Sequence, residues 1–169
     1  MIQHLLFAYE MNLRRAVQIV DDLTDEQMAA QPSGVVNHPA WTLGHLAATS
    51  NSLAGMLGLP STFPEAWRDS FRMGGIPSGD AADYPAKAEL VAQLRVQHER
   101  VAQAAAAADA EQLGQPTPNP RLRERFPTVG DFTAALMTNH EANHIGQLSA
   151  WRRAMGLAPA RPAPSERTD

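Results

Sequence analysis

Two histidines four residues apart, His140 and His144, stand in the string Asn139-His140-Glu141-Ala142-Asn143-His144-Ile145-Gly146-Gln147-Leu148 of a 169-residue chain. On a helix such a pair lies about 40° apart around the axis, so both imidazoles can reach one ion from adjacent turns. At about 100° per residue, Val129, Thr133, Leu136, Met137, Gln147, Leu148, Trp151 and Met155 fall on the side of His140, which places the pair on a core-facing stripe. Burying two imidazoles without partners is costly, and a metal ion would satisfy both. The plainer alternative is a pair of histidines satisfied by hydrogen bonds.

The same string matches H-E-x-x-H, in which two histidines hold zinc and the glutamate activates water for peptide hydrolysis. The continuation fails: Gln147 stands where one peptidase class has glycine and Ala150 where it has its third histidine, and no strand precedes the motif to bind a peptide. A third metal ligand must come from the four remaining histidines. His45 is the best placed, on a helix face shared with Trp41, Thr49, Ser52 and Met56, and the adjacent Gly44 allows a neighbouring helix or ligand to approach closely. His98 is the runner-up as a ligand, although a lone histidine in an apolar stripe with Val91, Leu94, Val101 and Ala105 reads more simply as core. His38, before Pro39, reads as a cap or pocket rim, and His4 as a surface residue.

Positioning these side chains requires long helices. Four segments carry helical period, at about 2–23, 39–58, 85–108 and 128–155, and no alternating strand pattern occurs. The expected fold is all-α: a four-helix bundle with long crossover connections and short extra helices, in one domain over 1–157 followed by a Pro-rich C-terminal tail at 158–169. Thr24 with Gln27 forms a capping box for a short helix, a further short helix is expected around 65–71, Pro39 suits a first helical turn, and Thr128 with Asp131 caps the last helix. The 59–84 connection is long enough to cross the bundle or cover a site. On the first helix, His4, Phe7, Ala8 and Met11 form a second apolar patch. It is read either as contact with a second neighbouring helix or as a homodimer interface.

Composition removes other function classes. With no cysteine, thiol nucleophiles, disulfides and Cys-ligated metals are excluded, so any metal is held by His and carboxylates. A formal charge of -4, with basic residues scattered, argues against nucleic acid and anionic lipid as partners. No segment approaches the roughly 20 apolar residues of a membrane span, and the N-terminus lacks a secretory pattern, so the expected location is cytoplasmic.

Two further motifs, Trp-x-x-Gly-His-Leu at 41–46 and His-Glu-x-x-His-x-Gly-Gln-Leu at 140–148 followed by Arg-Arg-x-x-Gly at 152–156, give the chain a family likeness over 1–157. It resembles the DinB-like (DinB/YfiT) metal-binding four-helix bundles. The resemblance implies a three-histidine site at His45, His140 and His144, a divalent ion, zinc or nickel, with open positions, and a small-molecule substrate. Some relatives use low-molecular-weight thiols such as bacillithiol or mycothiol in transferase or isomerase reactions. Many relatives have a basic residue where this chain has Ile145. Three neutral imidazoles leave the ion's charge uncompensated, so water or a thiol loses its proton more readily and a carbonyl is polarised. Glu141 then reads as a base, as a residue holding an imidazole, or as a surface residue, and Gln147 as a hydrogen-bonding partner of a bound ligand or of the cavity wall. Two function classes remain: a metal-dependent transferase or hydrolase, or a non-catalytic, stress-associated metal-binding bundle.

Overall fold

The computed structural model describes residues 2–160, and among them every regular element is helical, joined by one isolated bridge between Pro116 and Thr128. Four long helical stretches form the bundle: α1 (Ile2–Val20), α3 (Pro39–Met56), α4 (Lys87–Ala107), and a composite last helix. The short α2 (Asp25–Met28), α5 (Ala110–Gly114) and α6 (Pro120–Arg123) sit between them, and the last stretch runs as α7 (Val129–Ala135), a π-helical turn Leu136–His140, and α8 (Glu141–Ala154). No described helix is long and apolar enough to cross a membrane.

The boundaries obey local chemistry. Thr24 accepts from the Gln27 amide while the Gln27 side chain accepts from the Thr24 amide, closing the capping box on α2. Thr128 and Asp131 do the same for α7. Pro39 occupies the first turn of α3, where its missing N–H costs nothing. Gly156 ends α8 at φ 70°, a left-handed conformation that favours glycine. Lys87, the one lysine in the chain, donates from Nζ to Asp21 O and Leu23 O, satisfying carbonyls just past the end of α1.

Each of α1 and α3 packs against both α4 and α8, so consecutive long helices α1 and α3 oppose each other across the bundle. The connection 57–86 therefore runs back along its length. Gln97 Nε2 and Arg100 fasten its start at Thr62 and Pro60, and the Lys87 amide donates to Asp25 Oδ1 at its end. The helix expected around 65–71 is a single 3-10 turn, Glu65–Trp67. Leu13, Ile19, Leu43, Leu46, Leu90, Leu148 and Trp151 fill the core around one end, and Tyr9, Leu53, Val101 and Met137 that around the other.

Two expectations need correction. Phe7 and Met11 are exposed, at 69% and 48%, so the second patch of α1 does not meet another helix of the same chain. The uniform stripe expected through 128–155 is broken by the π-helical turn, which inserts a residue and re-aims the side chains after it. In α8 the buried line is Glu141, Ile145, Leu148 and Arg152, with His144 and Trp151 beside it. Arg152 ties this line to α1 by donating to Ile19 O at 2.7 Å and to the Asp22 carboxylate. It also donates to Ala158 O, so the first residues of the expected tail lie against the bundle; from residue 161 that tail falls outside the described residues.

Candidate metal centre

His45 in the middle of α3 meets His140, the last residue of the π-helical turn, and His144, one turn into α8. Their rings lie 4.7 to 5.3 Å apart between centroids, and one ligand nitrogen from each falls within 4.8 Å of the others. At this level the Trp41 ring stacks on His45, 4.6 Å away and nearly parallel, and lies 6.1 Å from the ring of His144.

Two of the rings are held by their far nitrogens. His45 Nδ1 lies 3.1 Å from Phe71 O, and a carbonyl only accepts, so Nδ1 carries the proton and Nε2 keeps a free lone pair. His144 Nδ1 donates to Gln147 Oε1 at 3.0 Å, and the same oxygen accepts from Asn37 Nδ2 at 3.2 Å, with the same result. Metal-ligating histidines are commonly fixed in this way, with the other ring nitrogen donating to an oxygen. Burial, with His144 and His45 nearby, lowers His140 to about 4. Burial and His45 lower His144 to about 4, and burial lowers His45. All three are neutral at pH 7, with nitrogen lone pairs available. The donor set fits a divalent ion, and three histidines at this spacing can hold one.

The other chemistry-bearing residues lie elsewhere. Glu141 is not exposed and is not one of the converging ligands: it is buried, with Oε1 2.6 Å from His98 Nε2. Burial pushes its carboxyl well up and pushes His98 down to about 3, so the pair favours a neutral imidazole with the proton shared toward the carboxyl group. Tyr9 stacks on His98 at 3.7 Å and its hydroxyl meets Ser50 Oγ at 2.9 Å. Tyr9, Thr49 and Ser50 line a small cavity with His140 and Glu141. His98 is a core histidine. His38 caps α3, accepting from the Trp41 amide, with ring nitrogens beside Met28 O and Ser78 O. His4 is exposed.

Sequence reasoning passed over Phe71, Asn37, Tyr9 and Ser50. The only signal among them was Gly44, read as a point of close approach; what approaches is Phe71 of the crossover, neither a helix nor a ligand.

Buried neutral histidines carry a consequence for acid. His38, His45, His98, His140 and His144 are all lowered below the ordinary 6.5 by burial, so the stability linked to them is complete above 6.5 and is lost as pH falls from there through the lowered values, about 4 for His140 and His144 and about 3 for His98. Glu141, raised, acts in the opposite sense, but as one group against five. The metal-free protein should therefore unfold at lower denaturant as pH drops from 7 to 4.5, and a constant midpoint over that range would overturn the burial of these rings.

The family model of the DinB superfamily matches residues 8–148 of the chain, a stretch that contains all three histidines and ends within α8. No curated protein matches the chain.

Proposed function

We propose that this chain, which belongs to the DinB superfamily, holds a divalent ion, zinc or nickel, on His45, His140 and His144 and serves as a metal-dependent transferase or hydrolase of a small molecule. The observation that carries this reading is the convergence of three ligand nitrogens within 4.8 Å. Three protein donors leave positions for water or substrate, the arrangement of catalytic rather than closed structural sites. His98, the residue able to close the site as a fourth donor, is turned to Glu141 instead. An ion at the trio supplies Lewis acidity toward water, a thiol or a carbonyl oxygen.

The chain's own residues do the rest. Phe71 O and Gln147 fix two imidazoles with their Nε2 atoms presented, and the stacked Trp41 ring shields one face of His45 from water. Gln147, which already holds His144, is also the residue to hydrogen-bond a bound ligand. Low-molecular-weight thiols are the cosubstrates to try first. The exposed Phe7 and Met11 suit a homodimer interface.

One observation favours a second reading, a non-catalytic, stress-associated metal-binding bundle: among the described residues the group around the trio contains no carboxylate, Glu141 being engaged in the core. Anaerobic purification with metal analysis, followed by thermal-shift screening against thiols and their conjugates, separates the two. Bound zinc or nickel with a response to a thiol supports the enzyme. Bound metal with no response to any candidate favours the second reading, and a chain that takes up neither ion overturns both.

A further inference from the structure

The crossover 57–86 is tied to α3 at the level of the trio. Phe71 is buried, and its ring fills the notch that Gly44 leaves: a Cβ on Gly44 would overlap three carbons of that ring. The next residue of α3 is His45, and its Nδ1 donates to the backbone oxygen of the same Phe71 at 3.1 Å. Phe71 thus seats its ring on one residue and orients the next with its carbonyl.

The ring has no easy way out of the notch. Phe63, Trp67 and Tyr84 surround it at 5.9 to 6.5 Å between centroids. The same stretch of crossover is fastened again at the start of α3, where His38 Nε2 lies 2.8 Å from Ser78 O and the Ser78 amide donates to Tyr84 Oη at 2.8 Å. A methyl group at Gly44 must therefore move the Phe71 ring against packed aromatics, and the carbonyl attached to it moves as well.

From this geometry we infer that Gly44 and Phe71 are positioning residues of the metal centre, and that seating of the crossover and metal binding at His45, His140 and His144 are coupled. The inference rests on the three-histidine reading above. Losing the Phe71 carbonyl frees His45 to rotate or to place its proton on Nε2, where it blocks coordination. By linkage, an ion bound to the correctly oriented His45 must in turn favour the seated crossover by the same factor.

The test uses the full chain and zinc alone. Gly44→Ala should weaken zinc by about 10- to 100-fold in competition with a chelator, the usual range for partners that orient a ligand. Phe71→Leu added to Gly44→Ala keeps the backbone oxygen and makes room for the methyl, so it should recover part of that loss. Gly44 and Phe71 touch, so the double variant should regain stability on steric grounds alone; recovery of zinc affinity in variants that are fully folded without zinc is what a merely structural role does not predict. A second measurement avoids variants: zinc should slow amide hydrogen exchange over 65–76 of the wild-type protein. Given a wild type that binds zinc, an unaltered affinity in a folded Gly44→Ala protein, no rescue by Phe71→Leu, or exchange over 65–76 indifferent to zinc would each overturn the inference while leaving the metal site standing. A wild-type chain that does not bind zinc or nickel overturns both.

Discussion

Replacing His140 or His144 by alanine is expected to abolish metal binding and to lower the melting temperature of metal-loaded protein, and His45→Ala should weaken affinity strongly. The three nitrogens lie within 4.8 Å of one another, and removing one leaves two donors for an ion that needs at least three to resist water and chelators. A ligand that binds only the native state stabilises it by about 2.7 kcal/mol at a free concentration 100 times its Kd. For a chain of this length that corresponds to roughly 5–10 °C, which should vanish in the variants. His4→Ala, at an exposed position, should change neither quantity. His38→Ala should cost stability, through the lost cap of α3 and the freed Ser78 carbonyl, yet leave metal stoichiometry intact. Metal content and melting curves with and without zinc check all five, and unchanged values for His140→Ala and His144→Ala would remove the assignment.

The second large effect concerns Glu141. Its carboxyl group and the His98 imidazole are both about 3% exposed and face each other at 2.6 Å. Glu141→Ala strands a buried imidazole and opens a cavity, for an expected loss of about 3 kcal/mol. Glu141→Gln keeps the size and a donor toward His98 Nε2, and should cost much less. Because Glu141 and His140 line one cavity, the Gln variant should shift metal affinity modestly and retain turnover on whatever substrate a screen supplies. Denaturant unfolding, chelator competition and turnover of the two variants decide the matter. A Gln variant with intact metal and no turnover would make this carboxylate the base, and the carboxylate would then have to leave His98 to act.

Much of this was legible in one dimension because helices are local. Thr24 with Gln27, Thr128 with Asp131, Pro39 and Gly156 act within a turn of themselves, and the structure places element ends where those residues stand. The short helices α5 and α6 were not foreseen: runs of five and four residues carry too little periodicity to register.

For the site, spacing alone brought His140 and His144 together, since four residues along any helix return to nearly the same face. His45 came from its helix face shared with Trp41 and from the neighbouring Gly44, and the likeness to the DinB family gave the same third ligand. The role of Glu141 could not be read in the same way, because its orientation depends on the π-helical turn just before it. That turn shifts the buried line of α8 onto Glu141, Ile145, Leu148 and Arg152, and nothing in the residue types of Leu136–His140 announces it.

The sequence by itself determined the helices, the all-α class, the absence of thiol chemistry and the histidine pair, all of which come from composition or from contacts within a few residues. The tertiary structure decided which buried groups meet. Tyr9 stacks on His98, Glu141 faces His98, and Phe71 orients His45 across separations of 89, 43 and 26 residues. Such pairings depend on the order of helices around the bundle and on the path of the crossover, and those are set by packing of the whole core rather than by any local run of residues.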